Sequence, residues 1–128
     1  MGREISLGGH KMKFYEMTQE TKEALLNLAP EPVFMDEETA FYIQDLMIAD
    51  FEKQGVLSAW AYTGEYMVNL FRSFRNSVVK MYSDEFNNLT ATASLATDNH
   101  EKLDANMTRM SMVTAVLDNL IYSMGGRV

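Results

Sequence analysis

The side chains best suited to chemistry in this chain lie in "ATDNHEKLDANM", residues 96–107, where His100, Glu101 and Asp104 crowd together behind Asp98. On a helix, His100 and Asp104 are four residues apart and share a face. "HEKLD" has the form of half a zinc-protease signature, in which two imidazoles one turn apart hold the metal and the glutamate activates water. Asp104 stands where the second imidazole is required. His10 is the only other histidine and there is no cysteine, so a zinc site here would consist mostly of carboxylates, an uncommon donor set. Nucleophilic catalysis lacks parts as well: no cysteine, no Gly-x-Ser-x-Gly turn, and few bases. The paired acids Glu37 and Glu38 fall at a helix start, where the helix dipole accounts for them. The glycine pairs at 8–9 and 125–126 lack the Lys-Ser/Thr of a phosphate loop. The expectation is a protein that is not an enzyme, with no metal, no cofactor and no small-molecule substrate indicated.

The elements that would position these residues follow from periodicity. At 128 residues, with 47% apolar and 23% charged side chains, the chain suits one globular domain, residues 1–128, with a core that needs no staples. The absence of cysteine suits a reducing compartment. With no membrane-length apolar run and no leader pattern, the chain reads as cytoplasmic. "REISLGGHKMKFYEM" predicts a β-hairpin within residues 1–17, with Gly8-Gly9 supplying the turn and Ile5/Leu7 and Met12/Phe14 alternating on either side. A helical core over 18–83 follows. Thr18 caps a short helix that "PEP" at 30–32 ends, and Asp36 and Gly55 bracket a longer one. Phe41, Tyr42, Leu46, Ile48 and Phe51 form the apolar side of that second helix. Over 57–82, Met67, Leu70, Phe71, Phe74 and Val78 recur at steps of three and four. Trp60 stands near the start of that segment as a core anchor.

The last third, 84–128, reads as a coiled-coil-like helix. Alternating steps of three and four from Val79 meet Tyr82, Phe86, Leu89, Ala93, Ala96, His100, Leu103, Met107, Met110, Thr114, Leu117, Ile121 and Met124. Only His100 and Thr114 are neither apolar nor aromatic, so they would be the polar positions that set register. Leu103, Met107, Met110, Leu117, Ile121 and Met124 would then be the seam for a partner or a second copy, with methionine adding adaptability. The same segment also supports two helices turning near 97–99. "DNHE" has the form of a capping box, with Asp98 and Glu101 three apart, and "TATASLAT" at 90–97 is a poor helix former. Val113 and Leu120 widen the stripe beyond a two-stranded seam. The fold expected is mainly α, an N-terminal β-hairpin before a helical bundle whose last helix is long, straight or bent.

The net charge of −7 is uneven. Residues 16–52 hold ten acids against Lys22, and 53–83 hold Lys53, Arg72, Arg75 and Lys80 against Glu65, so the two segments are expected to pack together. Asp36, Glu37, Glu38, Asp45, Asp50 and Glu52 are the expected acidic surface. A nucleic-acid face would need a basic surplus that is missing. Phe71 and Phe74 beside Arg72 and Arg75 fit a buried face better than a base-stacking one.

"REISLGGHKMKFYEMTQETKEALLNL" resembles the start of phage tail-assembly chaperones, which bind the long tape-measure protein. The residues carrying the resemblance are Ile5, Leu7, Gly8, Gly9, Phe14, Met17, Thr18, Thr21 and Leu25, and it covers only about the first 28 residues. It implies a non-catalytic assembly factor that keeps apolar helices of a partner soluble, in the host cytoplasm if phage-encoded. The expected partner is another protein or the chain itself as a homo-oligomer, with no nucleic acid and no membrane. Two other readings stand beside it: a self-assembling structural subunit of a virion, and a small acidic inhibitor of a host or defence enzyme.

Overall fold

A computed structural model describes residues 15–30, 36–57, 64–91 and 97–126, with backbone only at 97–99. It is mainly helical: α1 (Gln19–Leu26), α2 (Glu37–Gln54), α3 (Gly64–Ala91) and α4 (Thr97–Ser123). No strand occurs among the described residues, and the predicted hairpin and Trp60 lie outside them. No helix is long and apolar enough to cross a membrane.

Local signals set the helix ends. Thr18 caps α1, its hydroxyl accepting from the Thr21 N–H, and Asp36 caps α2 by accepting from the Thr39 N–H at 2.8 Å. The Thr39 hydrogen bonds hold the Asp36 carboxyl below its ordinary pKa. At the far end of α2, Gly55 takes the left-handed conformation, φ 68°, and its N–H bonds back to Glu52 O at 3.1 Å. A Cβ here would meet nothing within 4 Å, so the constraint is the backbone angle alone. Gly55→Ala should therefore cost about 1 kcal/mol, measured as a lowered urea midpoint with unchanged slope; a null effect would mean the cap relaxes freely.

Helices α3 and α4 form an antiparallel pair. Gly126 packs against Val68: a Cβ on it would fall 2.6 Å from Val68 Cγ1. Arg75 pairs with Asp118 at 2.9 Å, and Asn106 Nδ2 donates to Tyr82 O at 2.9 Å. As α3 ascends through 68, 75 and 82, the chain opposite descends through Gly126, just past α4, and through 118 and 106 within it. One continuous coiled-coil rod is thereby excluded, and the two-helix alternative describes the chain. Helix α3 ends at Ala91 and α4 begins at Thr97, so the turning point expected at 97–99 lies inside α4, and α3 runs across the expected boundary at 83/84. Helix α4 begins one residue before the predicted cap at Asp98.

The core lies where α1 and α2 meet this pair. Leu25, Ile43, Met47, Phe51, Leu70, Phe74, Val78, Tyr82, Val113, Leu117 and Ile121 are all sealed from solvent. At its centre the Phe51 ring stands edge-on to Tyr15 and to Phe74, both at 5.6 Å, and stacks on Phe71 at 6.2 Å. Edge-to-face geometry is what the ring quadrupole favours.

The apolar side expected for α2 needs correction. Phe41 and Tyr42 are exposed, and the buried positions are Ile43, Met47, Asp50 and Phe51. These recur at four, three and one, a true helical stripe. Phe41 and Tyr42 lie off it, however apolar they are.

Candidate functional site

Two polar clusters and one apolar edge stand out from the core. The first cluster centres on Asp50, which is 1% exposed and is thus no part of the expected acidic surface. Asp36, Glu37, Glu38, Asp45 and Glu52 are exposed as expected. Asp50 belongs to a run of acids, yet it falls three residues after Met47 on the buried stripe. Its carboxylate accepts from the Tyr15 hydroxyl, the Thr18 N–H at 2.9 Å, the Thr18 hydroxyl at 2.8 Å and Gln54 Nε2 at 2.9 Å. Burial pushes its pKa up, but the bonds from Tyr15, Thr21 and Thr18 outweigh burial and hold it below the ordinary value. Gln54 also donates to Glu16 O at 2.9 Å. The cluster ties residues 15–18 to α2. Every donor is used in holding the chain together, so it serves structure and offers no group to a substrate.

The second cluster lies where the end of α1 meets α3 and α4. The Tyr82 hydroxyl donates to Leu25 O at 2.6 Å, and Arg109 Nε donates to Leu28 O. Together they tie Leu25 O, which also accepts from the Leu28 N–H at 3.4 Å, and Leu28 O just past α1 to α3 and α4. Burial pushes the Tyr82 phenol well above its ordinary pKa, and the positive charge of Arg109 pulls against that. Asn106 is 3% exposed. Its Nδ2 is used on Tyr82 O, but its Oδ1 has no protein partner, an omission that typically costs about 1–3 kcal/mol. Beside it opens a cavity of about 440 Å³ lined by Leu26, Glu85, Leu89, Glu101, Lys102, Ala105, Asn106 and Arg109. Asn106 carries no sequence signature. Its only signal is its place one heptad before the buried Val113.

The apolar edge is set by register. Phe86 lies eleven residues after Arg75, and Met107 eleven before Asp118, close to three whole turns each. Both therefore stand along the Arg75–Asp118 edge toward the turn of the α3–α4 pair. Phe86 is 37% exposed and Met107 50%.

The predicted seam is divided by this arrangement. Leu117 and Ile121 are buried inside the protein, Leu103 and Met110 are half-buried, and Met107 and Met124 are exposed. Steps averaging 3.5 residues fall about 20° behind the real helix in each heptad, and the pattern restarts in an antiparallel helix after 97. Leu117 and Ile121 are therefore committed to the core and cannot also meet a partner. His100 is exposed, and the Thr114 hydroxyl bonds back to Met110 O at 2.8 Å.

Around "HEKLD" the side chains of His100, Glu101 and Asp104 are exposed, and among the described residues no three His, Asp or Glu side chains gather to hold a metal. Among the described residues, the acidic and basic segments meet at the exposed pair Glu20 with Lys53, which adds little stability. Arg75 and Lys80 pair instead with Asp118 and Asp84.

No family model matches this chain, and no curated protein or solved structure is significantly similar to it. Function must be argued from these surfaces.

Proposed function

We propose that this protein is a non-catalytic binding factor for a helical protein partner, of the kind the phage tail-assembly chaperone resemblance implies. The observation that supports this is the exposed apolar edge of Phe86 and Met107 on the α3–α4 pair. A large aromatic ring and a flexible thioether on adjacent helices suit the apolar face of an incoming helix. The partner-facing part of the expected seam is then Met107 with the half-buried Leu103 and Met110, without Leu117 and Ile121. The exposed acids of α2 favour solubility and select against acidic partners.

Co-expression with a long, apolar helical partner tests the reading, with the partner's soluble fraction as readout. Deleting residues 103–124 is unsuitable, because it removes Val113, Leu117 and Ile121 from the core. Met107→Glu is the sharper change. It should abolish most of the rescue and leave the thermal midpoint within about 2 °C of wild type, as expected for an exposed position. Unaltered rescue would remove this edge from the binding surface. Light scattering on the pure protein separates self-association through the same edge: a dimer that Met107→Glu converts to monomer would favour the structural-subunit reading.

A further inference from the structure

We propose that the outward side of α2 is a docking surface for a basic amphipathic helix of another protein. That side carries Glu38, Phe41, Tyr42, Asp45, Ala49 and Glu52, all exposed. At about 100° per residue, Glu38, Asp45 and Glu52 fall within about 40° of one another, and Phe41 and Tyr42 lie on either side of their line. The opposite side of α2 holds Ile43, Met47, Asp50 and Phe51 and is taken up by the core. Phe41 is 55% exposed and Tyr42 47%, so the two rings are left over from the packing of α2. Large apolar groups rimmed by charge mark a surface made for a protein partner.

Charge complementarity decides the occupant. Among the described residues none of Glu38, Asp45 and Glu52 is in an ion pair; the pairs formed are Lys53–Glu20, Arg75–Asp118 and Lys80–Asp84. Lys53, the one cation of α2, is thus engaged with α1. The three acids stand seven residues apart, a row of about 21 Å from first to last. A helix laid along that row with lysine or arginine at the same spacing meets each acid in turn. Apolar side chains beside those cations reach Phe41 and Tyr42, whose ring faces also attract positive charge. The same acids repel nucleic-acid phosphates and anionic lipid headgroups, and two copies of this face would repel each other. The net charge of −7 steers a basic partner from a distance. The surface lies on a different helix from Phe86 and Met107 and does not depend on the role given to them.

The test is fluorescence anisotropy of a labelled synthetic helix with arginine at every seventh position and leucines beside the arginines. It should bind saturably, and raising salt from about 50 to about 200 mM should weaken binding about tenfold. The same helix with glutamate for arginine should not bind. Glu38→Gln with Asp45→Asn and Glu52→Gln should cost about tenfold or more in affinity and flatten the salt dependence. Phe41→Ala with Tyr42→Ala should cost about tenfold with the salt dependence kept. All five positions are exposed, so both variants should melt within about 5 °C of wild type. Glu65→Gln with Glu101→Gln and Asp104→Asn removes as much charge from exposed positions on α3 and α4 and should leave affinity within about twofold. An equal loss in that control would mean that net charge alone attracts the helix, and would overturn the proposal. So would the absence of binding, or binding lost in Met107→Glu and kept in the α2 variants. A dimer seen by light scattering that Phe41→Ala with Tyr42→Ala dissolves would overturn it by giving the face to a second copy.

Discussion

Phe51→Ala is expected to destabilise the protein by about 3–5 kcal/mol, a large share of the 5–15 kcal/mol typical of a whole domain. Phe51 is sealed from solvent and touches three other rings, Tyr15, Phe71 and Phe74. Removing it forfeits the transfer free energy of the ring and leaves a cavity that the surrounding aromatics, Tyr15 before α1 and Phe71 and Phe74 on α3, fill poorly. Chemical denaturation should show a lower midpoint with a preserved slope. Phe41→Ala is the control. Phe41 is just as aromatic and sits on the same helix, but it is 55% exposed, so it should change stability by no more than about 0.5 kcal/mol. Equal losses at the two positions would refute the assigned orientation of α2.

Asp50→Ala should cost about 3–4 kcal/mol for a different reason. The substitution leaves the Tyr15 hydroxyl, the Thr18 N–H and hydroxyl, and a Gln54 N–H without their common acceptor. Hydrogen bonds to a charged acceptor are worth roughly 1.5–3 kcal/mol each, but water can enter to replace some of them. Asp50→Asn should cost less, since one carbonyl oxygen remains, although its amide must then face a donor. Asp50 also gives stability a pH dependence of definite sign. Its folded pKa is below the unfolded value of about 3.9, so folding favours the carboxylate. The contribution is complete well above the unfolded pKa and is lost as pH falls through the lower folded one. Asp50→Asn should therefore flatten the acid limb of the stability curve. An unchanged limb would mean that other carboxylates dominate acid unfolding.

Both effects rest on a residue whose neighbours in sequence do not mark it. Phe41 and Phe51 look alike in composition, and Asp50 looks like Glu52. They are told apart by angle: 43, 47, 50 and 51 fall in one stripe of about 100° per residue, and 41, 42 and 52 fall outside it. The spacing carries the distinction, whereas the apolar identity of Phe41 and Tyr42 and the acidic run around Asp50 point the other way. The buried Asn106 was less accessible, because a single amide within a helix has no pattern. Its importance comes from Tyr82, twenty-four residues earlier, and from Leu28, which Arg109 engages one turn further on.

The sequence by itself determined what depends on near neighbours. Thr18, Asp36 and Gly55 mark helix ends because a cap is satisfied, or a positive φ permitted, within four residues. The stripe from Phe71 to Val78 marks one face of α3 for the same local reason. Only the tertiary structure decided the long-range questions. A heptad pattern from Val79 to Met124 is compatible with one rod or with two helices, since periodicity records a face and not the direction in which the chain returns. The pairing of Val68 with Gly126, Arg75 with Asp118 and Tyr82 with Asn106 settles it in favour of an antiparallel pair. That choice buries Leu117 and Ile121, exposes Met107, and places "HEKLD" in the first turns of α4.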